Sequence, residues 1–239
     1  MFDGNTIIIQ NLEEYRQNQL FLPPDDSKWT DNTLLQMGYP SLDHSNARVV
    51  KMVHESIDAL KSLCSPTFLF KTQALSGLSK SGIQTQSFQI ESLKWRHVAS
   101  KLSGIQLVCC FALTLGPECE EKMKALGPNE IMLTFIWDAL LSTLAEHFAG
   151  QAETYIAYLC NTQGLLNTRR FSPGYCDLNL IQGQSAIFKF CQPEKIGIHL
   201  NDGGLMIPRK SVTAFVLIAE TMVYKYPCSF CRQKCDHCL

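Results

Sequence analysis

The stretch Thr168-Arg169-Arg170-Phe171-Ser172-Pro173-Gly174-Tyr175 divides two unlike kinds of sequence. Before it, residues 131–159 form the longest helical pattern in the chain. Phe135, Leu140, Leu144, Phe148, Tyr155 and Leu159 trace an apolar stripe there, and Gly150 marks a close helix crossing or a slight break. After it, residues 181–191 read as a short helix. Residues 196–200 and 205–207 flank Asn201-Asp202-Gly203-Gly204, a hairpin signal, and residues 212–219 read as a final strand. Within the stretch, Pro173 fixes one φ angle and Gly174 permits one that other residues resist. Ser172, before the proline, is pushed towards an extended conformation. Such a turn holds Arg170 and Tyr175 in fixed places and leaves backbone groups open to a ligand. An ordinary Pro-Gly turn with a solvated arginine pair has the same local sequence.

Working back towards the N-terminus, residues 105–115 are a nearly continuous apolar run and the strongest strand candidate. Gly116-Pro117 ends it, and residues 118–126 begin a short helix with acids in the first turn. Residues 93–102 have helical periodicity. Residues 67–71 and 88–90 have strand character, with a Ser/Gly-rich loop or hairpin connection over 76–87. Val49, Val50, Val53, Ile57 and Leu60 recur at helical spacing behind Asp43 or Ser45 as N-cap. Residues 34–39 resemble a short helix closed by Gly38, and Pro23-Pro24-Asp25-Asp26 breaks whatever precedes it. Residues 6–22 fit a strand followed by a short helix. Strands and helices do not alternate regularly, so the expected class is α+β with an antiparallel sheet.

The 239 residues are 46% hydrophobic, enough to bury a full core. A formal net charge of −1 argues against a general nucleic-acid binder. No apolar run reaches the length of a membrane span, and the N-terminus lacks the order of a signal peptide, which together place the chain in the cytoplasm. Of the 11 cysteines, seven are scattered (64, 109, 110, 119, 160, 176 and 191) and read as small core hydrophobes. The other four crowd the tail, as Cys228, Cys231, Cys235 and Cys238 beside His237. Two close CxxC pairs can converge on one metal, as zinc or an iron–sulfur cluster; a reduced tail without metal is the bland reading. Glu146, in Leu144-Ala145-Glu146-His147-Phe148, reads locally as a solvated helical acid beside a partly buried His147. Lys210-Ser211 reads as solvated polar residues at the start of a strand. There is no GxSxG, HExxH, GxGxxG or phosphate loop.

Taken together, the second half of the chain resembles the activation domain of cobalamin-dependent methionine synthase, particularly its stand-alone relatives. The matching pieces are Cys110-Phe111-Ala112-Leu113-Thr114-Leu115-Gly116, Leu144-Ala145-Glu146-His147-Phe148 and Arg170-Phe171-Ser172-Pro173-Gly174-Tyr175. Lys195-Ile196-Gly197-Ile198-His199-Leu200 and Met206-Ile207-Pro208-Arg209-Lys210-Ser211-Val212 complete the set. They span about residues 100–220; residues 1–100 match only loosely. The Pro-Ala-Cys-Pro run that follows the tyrosine in full-length synthases is absent, and Cys176-Asp177-Leu178-Asn179-Leu180 stands in its place.

The resemblance implies a C-shaped single α+β domain over residues 1–226, with a twisted antiparallel sheet and flanking helices. A four-cysteine metal or cluster tail follows over 227–239. It implies S-adenosylmethionine bound by Glu146, Arg170, Ser172, Gly174 and Tyr175, with Tyr175, Lys210 and Ser211 facing cobalamin carried by a partner methyltransferase. An arginine suits the methionyl carboxylate, and a glutamate its ammonium. The implied chemistry is reductive methylation. Cobalamin takes one electron from a reductant such as flavodoxin or ferredoxin, then takes the sulfonium methyl. A sulfonium is already strongly electrophilic, so no general acid or base is needed, in keeping with the missing catalytic motifs. A module that docks a corrinoid protein and governs electron delivery without S-adenosylmethionine is the alternative. The tail, as an iron–sulfur centre, would suit it.

Overall fold

The computed structural model describes residues 6–9, 22–39, 46–78, 82–92, 102–104, 106–175 and 178–223, the first of these segments by its backbone alone. Its centre is a five-stranded antiparallel sheet in the order β1-β2-β7-β11-β8. These strands are β1 (Thr6–Ile9), β2 (Thr67–Ala74), β7 (Leu107–Thr114), β8 (Leu166–Asn167) and β11 (Ser211–Ala219). Phe111 pairs with Phe70 on one side and Ala214 on the other. The sheet therefore takes β1, β2 and β7 from the first half of the chain and β8 and β11 from the second.

All eight residues of β7 are buried, because helices or loops cover both faces of the sheet. Cys109, Phe111 and Leu113 face one core with Phe68, Phe70, Ala214 and Val216. Val108, Cys110 and Ala112 face the other with Leu69, Phe215 and Leu217. A strand buried on both faces loses the polar–apolar alternation of a half-exposed one, which explains the unbroken apolar run.

The first core is closed by α1 (Asp26–Gln36), α2 (Ala47–Leu63) and α4 (Ile131–Asn161), with the short α3 (Glu118–Lys124) at its edge. Asp25 caps α1 by accepting from the Ser27 and Lys28 amides, so the Pro-Pro-Asp-Asp run is a helix start and not merely a break. The helix expected over 34–39 is thus the last turn of a longer one, and Gly38, at φ +94°, follows its end. Trp29 of α1 is fully buried and donates from its indole Nε1 to the Leu140 carbonyl at 3.0 Å and to Thr143 Oγ1 at 3.1 Å. The cap of α2 is Asn46, not Asp43 or Ser45.

Helix α4 is continuous through Gly150, where an added Cβ would meet nothing within 4 Å. Among the described residues, neither a crossing nor a break is present there. Phe135, placed on the apolar stripe by spacing, is 51% exposed, because the first turn of α4 projects beyond the core. By length and mean hydropathy (1.2) α4 is apolar enough to cross a membrane, which a search for uninterrupted apolar runs does not register. Its buried side packs on the sheet.

The second core lies under α5 (Leu180–Cys191), a 3-10 turn (Pro193–Ile196) and three small β units. These are β3 (Gly77–Leu78), β4 (Gly82–Gln84) and β5 (Gln89–Glu91); β6 (Leu102–Ser103) with β12 (Thr221–Met222); and the hairpin β9 (His199–Leu200) with β10 (Met206–Ile207). Leu102, expected in a helix, begins β6; the rest of that expected helix, 93–101, lies outside the described residues. Asn201 Oδ1 closes the hairpin by accepting from the Gly203 amide at 3.0 Å and the Leu205 amide at 2.9 Å.

Candidate functional site

The turn after β8 is fastened along β11. Thr168 donates its amide to the Leu217 carbonyl at 2.9 Å. Phe171 and Phe215 exchange amide–carbonyl bonds of 2.8 and 3.0 Å. Their rings stack with centroids 5.5 Å apart, and Phe215 in turn meets Phe88. Gly174 turns the chain at φ +90°, and its amide donates to the Leu178 carbonyl at 3.0 Å. Pro173 is buried against α5. A Cβ on Gly183 would stand 2.8 and 2.9 Å from two Pro173 ring carbons, so only glycine lets the turn lie this close to the helix.

This anchoring brings Arg170 over α4. Its Nη2 pairs with Glu146 Oε2, and its Nη1 lies 3.9 Å from Glu153 Oε2. Two of the site residues expected from sequence are therefore in direct contact. Glu146 is 58% exposed, and Arg170 only 23%. Glu153, two helical turns further along, escaped the sequence reading. Its side chain is buried, its Oε1 accepts from the Arg170 amide at 3.3 Å, and Arg169 Nη1 lies 3.5 Å away. Burial pushes the Glu153 carboxyl above its ordinary range, against the opposing pull of Arg169, Arg170 and the Arg170 amide. Glu146 and Glu153 are seven residues apart on one helix face. That spacing was the available signal, but it gains meaning only once the turn supplies the arginine.

Tyr175 is 53% exposed at the end of the turn, and its amide donates to the Ser172 carbonyl at 3.3 Å. Ile181 at the start of α5 is also exposed and lies against the β9–β10 hairpin. Its Cγ1 lies 3.3 Å from where a Cβ on Gly204 would stand. Leu205 and Ile207 of the hairpin are also exposed.

Lys210 and Ser211 are buried, which corrects their reading as solvated residues. Lys210 Nζ donates to Asp138 Oδ1 (2.8 Å), the Asp138 carbonyl (3.0 Å) and Ser142 Oγ (2.8 Å), so all three of its N–H protons find acceptors on α4. Ser211 Oγ lies 2.7 Å from the Pro208 carbonyl and 3.0 Å from Thr114 Oγ1. Glu120 Oε2 accepts from the Arg209 amide at 2.7 Å and completes the fastening of this loop. His147 is half-buried, and burial lowers its pKa; its Nε2 lies 3.0 Å from the Leu22 carbonyl. Cys228, Cys231, Cys235 and Cys238 lie outside the described residues. Among the described residues, no group of three or more His, Cys, Asp or Glu side chains stands close enough to hold a metal.

The fold matches a crystal structure of the MetH reactivation domain bound to AdoHcy. The TM-score is 0.63 and the identity 16%, over 93% of this chain and 80% of that one. No curated protein matches the chain. The family model for the activation domain of vitamin B12 dependent methionine synthase matches residues 96–233, more than half of the chain, and takes in the β7 strand, the Glu146 helix and the Arg170–Tyr175 turn. On that match, the chain belongs to the vitamin B12 dependent methionine synthase activation-domain family.

Proposed function

We propose that this chain binds S-adenosylmethionine at the Arg170–Glu146 pair and serves the reactivation of a corrinoid methyltransferase, cobalamin-dependent methionine synthase foremost, by reductive methylation. The observation that carries the reading is the pair itself, a surface guanidinium and carboxylate held side by side beside an anchored turn. A ligand with an α-ammonium and an α-carboxylate presents the opposite pattern. Its carboxylate takes the Arg170 guanidinium and its ammonium takes Glu146. An exposed ion pair is worth about 0–1 kcal/mol, so opening it costs little. Glu153 keeps hold of the Arg170 amide during the exchange, so the arginine stays in place when Glu146 turns to the ligand. Backbone groups at Ser172 and Gly174 border the adenosine.

The corrinoid, brought by the partner, supplies the metal that accepts the methyl group. The chain's own residues do the positioning. Tyr175 and the apolar side chains Ile181, Leu205 and Ile207 offer an exposed face suited to a flat macrocycle and able to exclude water from the transfer. Lys210 and Ser211 serve that face indirectly, by tying the start of β11 to α4 and β7.

The test combines the chain with an inactive cobalamin-bearing methionine synthase, a low-potential reductant such as flavodoxin or ferredoxin, and methyl-labelled S-adenosylmethionine. Label is expected on the cobalamin only when the chain is present, and Arg170→Ala abolishes its transfer. A chain that binds S-adenosylmethionine yet transfers no label to any corrinoid partner offered would overturn the reactivation role.

A further inference from the structure

The seven scattered cysteines are not all inert core residues. Cys64 follows the last residue of α2, and Cys119 lies in the first turn of α3, 55 positions later. Their sulfurs are 3.0 Å apart. Cys64 is partly exposed, whereas 109, 110, 119, 160 and 191 are buried. The backbone keeps the two thiols together. Cys64 donates its amide to the Leu60 carbonyl at 3.1 Å, and the next residue, Ser65, donates to the Leu115 carbonyl at 2.9 Å. Leu115 and Gly116 then lead directly into α3. A Cβ on Gly116 would also stand 3.5 Å from Ser65, so the two segments lie side by side at this point.

We propose that Cys64 and Cys119 are an oxidation-sensitive dithiol, a modification site at which hydrogen peroxide converts two thiols into one disulfide. A shift of about 1 Å brings the sulfurs to bonding distance, and the fold holds no other group between them. The oxidant meets Cys64 first, because Cys119 is covered. The Cys64 sulfur takes one oxygen as the O–O bond breaks, giving a sulfenic acid and one water. The Cys119 sulfur then attacks the Cys64 sulfur. The S–S bond forms, the S–O bond breaks, and the departing hydroxide leaves with the Cys119 proton as a second water. Two thiols lose two electrons, and the peroxide is reduced to two waters. In the reduced pair, the hydrogen bond the two thiols share holds Cys119 below its ordinary range and, with burial, lifts Cys64 above its own, so the exposure of Cys64 and not its acidity sets the order of the two steps. The product staples the end of α2 to α3, next to the Glu120 carboxylate that fastens the 208–211 loop.

The experiment uses the full chain, fully reduced, exposed anaerobically to one equivalent of hydrogen peroxide, alkylated, and mapped by mass spectrometry without reduction. The expected result is a cross-linked pair of peptides carrying Cys64 and Cys119, reversed by dithiothreitol, with a higher melting temperature for the oxidised form. Cys119→Ser is expected to leave a Cys64 sulfenic acid that dimedone traps. If that variant fails to fold, the map of the unaltered chain still decides. Recovery of both Cys64 and Cys119 as alkylated thiols while the tail cysteines oxidise, or Cys64 bridged to any other cysteine, would overturn the proposal.

Discussion

Arg170 is held by two carboxylates with different duties. Glu146, mostly exposed, is the one we propose meets the ligand; Glu153 is buried. Replacing Arg170 by Lys keeps the charge but loses the planar fork, so S-adenosylmethionine affinity is expected to fall about tenfold, the worth of one charge-assisted hydrogen bond. Calorimetry on the variant checks this, and unchanged affinity contradicts a two-point grip. Glu153 carries a pH signature. Its folded pKa lies above the ordinary 4.5, so the folded state holds that proton more tightly than the unfolded chain does. Its contribution to stability is therefore full below 4.5 and is lost as pH rises through the raised value. Gln cannot titrate. Melting temperatures of Glu153→Gln and the unaltered chain, followed upward from pH 4, are expected to diverge in favour of the variant across that window. A difference that stays constant with pH rules out burial as the dominant influence on Glu153.

At the scale of elements, the glycines separate what spacing reveals from what packing alone reveals. Gly150 sits mid-helix with open space around it, so Gly150→Ala is expected to stabilise the chain by about 0.5–1 kcal/mol in denaturant unfolding. Gly183→Ala drives a methyl into Pro173 and is expected to cost about 1–3 kcal/mol and to weaken ligand binding by displacing the turn. Equal effects at the two positions would contradict the contact between turn and helix. The strands β7 and β11, the length of α4 and the Asn-Asp-Gly-Gly hairpin were all legible in sequence, because each is written in local periodicity or turn chemistry. The start of α1 was not. A proline pair just ahead of an aspartate cap has the same letters as a loop, and only the indole of Trp29 seated on α4 decides between them. Nor was Lys210 legible, since its three acceptors lie on a helix 68 to 72 residues away.

Across the whole molecule, the site is a meeting of one helix and one turn on a sheet that spans both halves of the chain. The turn was legible from its arginine, proline and glycine, and the family resemblance supplied the partner glutamate. The second glutamate shares a helix face with the first, but that spacing gains its meaning, like the Gly183 contact, only from tertiary packing. The family match begins at residue 96, while the structural likeness covers 93% of the chain. The residues before 96 take part in the same fold: β1 and β2 extend the sheet, and α1 and α2 close its core. The most direct measurement is calorimetric titration of S-adenosylmethionine into the unaltered chain and into Arg170→Ala. Saturable one-to-one binding that is lost in a folded Arg170→Ala variant is the predicted result. Equal binding by both proteins, or none by the unaltered chain with its cobalamin partner present, would contradict the account.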